Sequence, residues 1–525
     1  MSAPGMSTPA AEGIGSDTDV PTRRAGTGSW ARRRLHALWS SVPRAAWACA
    51  LVALANGFAW SLIVPPFEVP DENAHYAYVQ QVAERGTLPR LTQREGPLSP
   101  AEDDMLGAVL FFQIVGERPN PAPMSALQQR AVETVEGGHL SRKGNGNALS
   151  ATNNPPLYYA LEAIPYKLAS SGSVLDRLAA MRLLSVLLGA VTVLLVFQFL
   201  RELLPRYPWS WAAGALVVAF QPLFGFMSGG VNNDNLLYLT ATGCLWAMAR
   251  SFRRGLTPAN GALIGGFLGA GIVTKLTLLG FVPAVALAVL LMLRRGWRSE
   301  RPAALRGAAW AVALAAAPFA LYVLLNHVAW HRGAIPGGVG SVAANPETPQ
   351  LTFSLGEEIS HIWQLYLPSI GMRDQFHYVP LWKTWFKGFI GRFGWLDYKF
   401  GYHFYLAALA VSLAAIALAL AEIVRRHKAF VRRIGEFAVY ALALAGVCIA
   451  VGVQSYRLMI QTSGFAQFEQ ARYLLPLIGL YGAIAALAVR FGGRRFGPAI
   501  AALLVVLAIG HDVAAQVITI SRYYA

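Results

Sequence analysis

Cysteine and charge are what this chain has least of. Three cysteines in 525 residues, Cys49, Cys244 and Cys448, all fall inside apolar runs. That rules out a disulfide scaffold, and no Cys-Xaa-Xaa-Cys or Cys/His spacing points to zinc. Charged side chains make up 14% of the sequence, against about 25% in a soluble globular domain, so neither an ordinary cytosolic enzyme nor a disordered chain fits. A P-loop, an Asp-Xaa-Asp sugar-nucleotide motif and a Gly-Xaa-Gly-Xaa-Xaa-Gly turn in a strand–helix context are also missing, which argues against a nucleotide-bound donor. No repeat spans the chain, which disfavours transporters built from tandem or inverted repeats. The net charge of +16 does not indicate nucleic acid, because the basic residues punctuate apolar runs and do not cluster on a polar domain.

What is present is apolar sequence, 55% of the chain. With about 20 apolar residues needed per spanning helix, the runs predict an all-α polytopic membrane protein. About eleven transmembrane helices are expected, near residues 45–64, 178–200, 209–228, 235–249, 258–273, 277–293, 307–328, 402–424, 436–455, 473–489 and 497–517. The Gly-rich stretch 235–273 is the least regular of these. Residues 1–44 read as a disordered basic cytoplasmic tail, and 45–525 as the transmembrane domain.

Orientation follows from arginine. Arg23, Arg24, Arg32, Arg33, Arg34 and Arg44 precede the first run, and no small-residue cleavage site follows it, so an uncleaved anchor with a cytoplasmic N-terminus is expected. Every second connection is again basic: Arg201 and Arg206; Arg250, Arg253 and Arg254; Arg294 to Arg306; Arg425 to Arg433; Arg490 to Arg495. The net charge thus belongs to one side, and the C-terminal tail to the other.

Two connections assigned to the outer face, residues 65–177 and 329–401, are far longer than topology needs, and long structured loops usually carry function. The first opens with ProProPheGluValProAspGluAsnAlaHisTyrAlaTyr at 65–78. From Asp71 the pattern turns helical, with Asp71 in position to cap. Most acids at such a position are caps. Here two adjacent acids, Asp71 and Glu72, sit where the chain leaves lipid, His75 lies one turn on, and Tyr76 and Tyr78 flank them. His75 has three readings: tuning Asp71, holding a metal, or facing water. Further on, AsnAsnProProLeuTyrTyrAlaLeu (153–161) starts an amphipathic helix, too short and polar to span, expected along the interface with its tyrosines at headgroup level. The second loop holds GlyMetArgAspGlnPhe (371–376). It also holds an aromatic and basic stretch from Trp382 through Trp385, Phe389, Arg392 and Trp395 to Asp397, readable as an interfacial belt or as a platform for a sugar and its phosphate.

Taken in order, ProAspGluAsnAlaHisTyrAlaTyr, AsnAsnProProLeuTyrTyr, AsnAsnAspAsnLeu (232–236), GlyArgPheGlyTrpLeuAsp (391–397) and GlnAlaArgTyrLeuLeuPro (470–476) resemble a bacterial family of predicted membrane proteins, domain-of-unknown-function family 2142, from about residue 45 to the end. The layout also resembles the GT-C superfamily of polyprenyl-phosphate-sugar-dependent glycosyltransferases. That resemblance implies a multi-pass protein of the bacterial plasma membrane, with interfacial helices in its two extracytoplasmic loops. It implies a polyprenyl-phosphate-sugar donor, an envelope glycan or lipid acceptor, and an acidic residue of the first loop as general base or metal ligand. The matching position is Asp71, with Glu72 beside it; a divalent ion such as Mg or Mn is the one cofactor the pair would hold. Leaving-group stabilisation falls to cations, with Arg457, Arg472 and the Lys275 of ValThrLysLeuThr as candidates. His75, Tyr78, Arg392, Trp395 and Asp397 are the remaining substrate-binding candidates. A second carboxylate is sought among Asp103, Asp104, Asp234, Asp374 and Asp397. Beside the inverting transferase stand two other readings: a lipid-linked glycan flippase or transporter, and a non-catalytic envelope-assembly partner.

Overall fold

The apolar runs become helices. The computed structural model describes residues 42–89, 98–116, 125–138, 140–143, 150–297, 300–328, 353–369, 381–461 and 469–524. Ala45–Ala525 forms one compact unit and Met1–Arg44 another. In chain order the helices are α1 (Arg44–Ile63), α2 (Glu72–Arg85), α3 (Pro100–Ala108), α4 (Phe111–Gly116), α5 (Ala126–Gly137), α6 (Leu157–Leu168), α7 (Val174–Leu203), α8 (Pro208–Ala219), α9 (Pro222–Ser228), α10 (Asp234–Arg254), α11 (Pro258–Ile272), α12 (Val282–Gly296) and α13 (Arg301–Val328). They continue with α14 (Leu355–Tyr366), α15 (Lys387–Gly391), α16 (Tyr402–Arg425), α17 (His427–Val431), α18 (Ile434–Gln461), α19 (Ile478–Phe491) and α20 (Gly493–Tyr524). Short 3₁₀ turns, Leu276–Phe281 and Ala471–Leu477, lead into α12 and α19. A two-residue ladder pairs Arg392–Phe393 with Tyr398–Lys399, so the GlyArgPheGlyTrpLeuAsp motif is a hairpin.

Each of the eleven expected spans is helical. Among the described residues, eight helices are long and apolar enough to cross a bilayer, and a ninth counts if α8 and α9, bent by 61° at their break, form one span. Gln221 makes that break, its side chain accepting from Phe224 N as the cap of α9. The other two, α10 and α11, differ for physical reasons. α10 is buried nearly all round between α7 and α11, so it tolerates Thr240, Thr242 and Ser251 within it. α11 has 15 residues, about 22 Å at 1.5 Å each, short of a hydrocarbon core of about 30 Å. Its glycines face α13 so closely that a Cβ on Gly261, Gly265 or Gly269 would lie 1.9, 2.3 or 2.2 Å from the α13 carbonyl oxygens of Gly307, Ala311 or Leu314. Backbone-to-backbone contact of this kind needs small residues.

The basic connections gather at one end of the bundle. Glu202 meets Arg254 at 2.7 Å, and Glu422 meets Arg426 and Arg490 at 2.8 and 3.0 Å. At the opposite end lie the loop Val64–Asp71, the N-terminal turns of α7 and α10, the turn before α19 and the last turn of α20, joined by the bonds described below. Inside the spans, Asp512 of α20 accepts from Trp60 Nε1 of α1 and from Gln516, each at 3.0 Å. That staples α1 to α20.

The glycine contact makes a paired prediction. Gly265→Val should destabilise the protein by about 2 kcal/mol or more through overpacking, whereas Gly266→Val, whose Cβ would meet nothing within 4 Å, should not. Thermal unfolding of the two variants in detergent checks it.

Candidate active site

The segment between α1 and α2 is stiffened by Pro65, Pro66 and Pro70, yet two of its residues sit in the left-handed region, Phe67 at φ 67° and Asp71 at φ 66°. Each costs about 1 kcal/mol or more for a residue other than glycine. Glu72 holds them there. Its carboxylate, with 0% of the side chain exposed, pairs with Arg182 of α7 (Nε at 2.8 Å, Nη2 at 2.6 Å). It also accepts the backbone N–H groups of Phe67 and Val231, both at 2.8 Å. Arg182 spends its other donors on the carbonyls of Ser61, Val64 and Pro65, at 2.8–2.9 Å. One ion pair therefore fixes the exit of α1, the strained loop and the start of α10's approach.

Asp71 stands at the N-cap position of α2, but its side chain makes no capping bond. The carboxylate reaches Arg472 instead, Oδ2 to Nη2 at 2.5 Å, and Arg472 also donates to Pro70 O at 3.2 Å. Asp71 keeps 22% of its side chain exposed, Arg472 only 5%. Burial pushes the Asp71 pKa up, but the Arg472 guanidinium outweighs it and holds the carboxyl below its usual 3.8. His75, one turn on, is buried; its Nδ1 bonds Tyr159 Oη at 2.9 Å and its ring stacks on that tyrosine. Desolvation lowers the His75 pKa to about 4, so the imidazole is neutral.

Three more motifs converge here. AsnAsnAspAsnLeu supplies Asn232, which donates to Pro70 O at 3.0 Å, and Asp234, which pairs with Lys275 Nζ at 2.5 Å. Lys275 and Arg472 both lie over the Tyr473 ring, each 5.2 Å from its centroid. AsnAsnProProLeuTyrTyr supplies Tyr159, stacked on Tyr78 at 3.6 Å, and Tyr158, bonded to Ser185 of α7 at 2.9 Å. Tyr158 and Tyr159 are fully buried, while Ile164 and Leu168 are the exposed side of α6. This corrects the expected headgroup placement: the ring faces of these tyrosines are worth more against His75 and Tyr78 than at an interface.

The remaining candidates separate. Arg392 donates to Leu396 O at 2.8 Å and lines a small cavity of about 20 Å³ together with Pro70, Thr384, Glu469 and Arg472. Trp395 packs edge-on against Phe111. Asp397 pairs with Arg522 of α20 at 3.0 Å, beside the buried Glu68, which accepts from Tyr523 at 3.1 Å. Arg457 is exposed on α18 and shares none of these bonds. The aromatic stretch does not form one platform. Trp382 stacks on Phe386, Trp385 bonds Leu365 O, and Phe393 is buried against Trp60 and Phe226. Asp103 and Asp104 are exposed on α3, while GlyMetArgAspGlnPhe, with Asp374, lies outside the described residues. Glu68, Glu469, Arg522 and Tyr523 were not legible as partners of this region, since none stands in a patterned motif except Glu68, three residues before Asp71.

The donor set does not suit a divalent ion at Asp71 and Glu72. Both Glu72 oxygens are committed to Arg182 and to backbone N–H groups, and Asp71 Oδ2 is taken by the Arg472 guanidinium, a cation that would repel a divalent ion. Among the described residues, no group of three or more His, Cys, Asp or Glu side chains gathers as metal ligands.

A family model described as predicted membrane protein (DUF2142) matches residues 54–481. No curated protein matches the chain. Among solved structures it is similar to ArnT from Cupriavidus metallidurans bound to undecaprenyl phosphate, with 14% identity, a TM-score of 0.42 and coverage of 91% of this chain and 74% of that one. It is similar to the Archaeoglobus fulgidus oligosaccharyltransferase tethered with an acceptor peptide, with 12% identity, a TM-score of 0.40 and coverage of 91% and 55%. It is also similar to the S. cerevisiae protein O-mannosyltransferase Pmt1-Pmt2 complex bound to the sugar donor, at 15% identity and a TM-score of 0.34, over 59% of this chain. The chain spans 38% of the length of that yeast protein.

Two stability measurements test this network. Glu72→Gln leaves Arg182 buried without its counter-charge and should cost about 3–5 kcal/mol, read as loss of unfolding free energy in detergent. Burial raises the Glu68 pKa from 4.5 to about 8, so between those values the folded state binds more protons than the unfolded one. Stability should therefore fall as pH rises through that window, and Glu68→Gln should flatten the dependence.

Proposed function

The chain belongs to the DUF2142 family of predicted membrane proteins, and from its site we propose that it is a glycosyltransferase of the bacterial plasma membrane. In this reading the basic end of the bundle faces the cytosol, as does the N-terminus, and the site and C-terminus face outward. A sugar passes from a polyprenyl-phosphate donor to a hydroxyl of an envelope glycan or lipid.

The observation that carries the proposal is Asp71. A carboxylate at a helix N-cap position that leaves the cap unmade, in a strained backbone, partly exposed and held ionised by an arginine, is better explained by chemistry than by folding. In the proposed step Asp71 accepts the proton of the acceptor hydroxyl. That oxygen forms a bond to the anomeric carbon as the bond from that carbon to the phosphate oxygen breaks, with inversion, and the electron pair leaves on polyprenyl phosphate. Arg472, Lys275 and Arg392 are the cations available to the departing phosphate. Arriving phosphate would compete with Asp71 for Arg472. Freed from that guanidinium, the carboxyl would follow its burial upward and become the stronger base, so donor binding would arm the base. Glu72 has the positioning part, through Arg182.

A lateral groove of about 510 Å³ between α16, α19 and α20, lined by residues such as Val411, Ile416, Ile484 and Leu507, supports a lipid donor; Ile390 at its margin is two residues from Arg392. The transport reading loses support because Arg182 and Asp512, two charged groups within the spans, are both engaged in holding elements together.

Asp71→Asn is the decisive variant, because asparagine accepts the left-handed backbone as readily as aspartate. It should lower thermal stability, because Arg472 loses its counter-charge, while leaving the protein folded, and it should reduce transfer of radiolabelled sugar from polyprenyl phosphate by about 100-fold or more. Undiminished transfer, or full biological function without Asp71, would instead favour the non-catalytic partner.

A further inference from the structure

Three buried polar side chains from three separate elements form a chain that ends at the small cavity beside Arg472. His361 of α14 lies with Nε2 2.8 Å from Ser455 Oγ of α18. Ser455 Oγ in turn donates to Glu469 Oε1. A serine hydroxyl has one hydrogen, and it is spent on the carboxylate, so Ser455 must accept from His361. That makes His361 the Nε2–H tautomer, and its burial, which drops its pKa to about 4, keeps it neutral. Every hydrogen bond in the chain therefore points toward Glu469.

Glu469 is 8% exposed, and its second oxygen, Oε2, has no hydrogen-bond partner among the described residues. No cation takes it up. Arg472, three residues on, is committed to Asp71 and Pro70, and Arg392 across the cavity donates to Leu396 O. A buried carboxylate oxygen without a donor is costly, and two ordered groups, Ser455 and His361, are spent on aiming this one. The same cavity is lined both by apolar side chains, Leu223, Phe226, Met227 and Leu396, and by polar ones, Thr384, Gln470 and Glu469. A sugar ring offers that pair of surfaces, C–H groups on one face and hydroxyl donors at the rim. At about 20 Å³ the space holds roughly one water, so a ring enters by displacing water and widening it.

Building on the transferase reading, we propose that this cavity is the subsite for the transferred sugar and that Glu469 Oε2 accepts a hydrogen bond from one of its hydroxyls, with Ser455 and His361 as positioning residues. The carboxylate sets the class: a neutral hydroxylated sugar is accepted, whereas a uronate would bring a second negative charge against Glu469 and be refused.

The test uses the full-length protein in nanodiscs and three probes: undecaprenyl phosphate, undecaprenyl phosphate carrying a neutral hexose, and the same lipid carrying the hexuronate. Wild type should bind the hexose lipid about 10-fold more tightly than the bare lipid, and the hexuronate lipid no more tightly than the bare one. Glu469→Gln should remove most of the hexose preference with bare-lipid affinity unchanged. Ser455→Ala should act in the same direction, and Ser455→Thr, which keeps the hydroxyl, should restore it. If Glu469→Gln does not fold, Glu469→Asp, which withdraws the carboxylate by one methylene, replaces it with the same expectation. A hexose preference that survives either Glu469 variant overturns the subsite, as does equal weakening of all three lipids. Wild-type protein that binds none of them overturns the polyprenyl-phosphate reading itself, and the subsite with it.

Discussion

The Glu72–Arg182 ion pair is the constraint on which the functional end of this molecule rests. Both charges are buried, so each must be met by the protein, and together they gather five backbone groups of the α1 exit, the proline-rich loop and the approach to α10. Such a pair adds little net stability over a well-packed apolar alternative. What it does is forbid other arrangements: with Phe67 N and Val231 N both ending on one carboxylate, the loop has no freedom to relax its two left-handed residues. Asp71 is therefore presented to Arg472 by the way its neighbour is bonded.

Around that anchor the site is assembled from pieces far apart in the chain. Asp71 pairs with Arg472 and Asp234 with Lys275, so the cluster is near neutral as it stands, and in the proposed reading an arriving phosphate displaces a carboxylate from its cation. The second polar chain, His361 to Ser455 to Glu469, starts in the other large loop, crosses α18 and ends at the cavity that Arg472 also lines. The two networks thus meet only across the cavity that Glu469 and Arg472 both line, with Arg472 in the short 3₁₀ turn ahead of α19.

Much of this was legible in the sequence because apolar run length and arginine spacing are strong physical signals. The helices stand where the runs lie, the basic connections meet at one end, and four of the five short motifs contribute side chains to the neighbourhood of Asp71. What could not be read is how each polar residue spends its hydrogen bonds. Asp71 and Glu72 are adjacent and chemically alike, yet one points to a partly open cleft and the other into the protein, a difference set by Arg182 more than a hundred positions away. The tyrosines of α6 carry an amphipathic signature that does not say which side is the core; they turn inward because His75 and Tyr78 offer ring faces. Glu469 and Arg522 lie in no pattern at all, and only tertiary contact gives them partners.

The glycine face of α11 bears on how the chain enters the bilayer in the first place. A helix of 15 residues with little side-chain surface has a weak claim on hydrocarbon when only α10 has preceded it, and the surface that covers its glycine face, α13, is synthesised only after α12. Stable partitioning of α11 must await that later helix, so α11, α12 and α13 form one unit of membrane insertion. Lys275 lies in the turn between the first two of its members, and Asp234 heads the helix before them. That salt bridge therefore waits on α13, and the Asp71–Arg472 pair waits longer, for the turn ahead of α19.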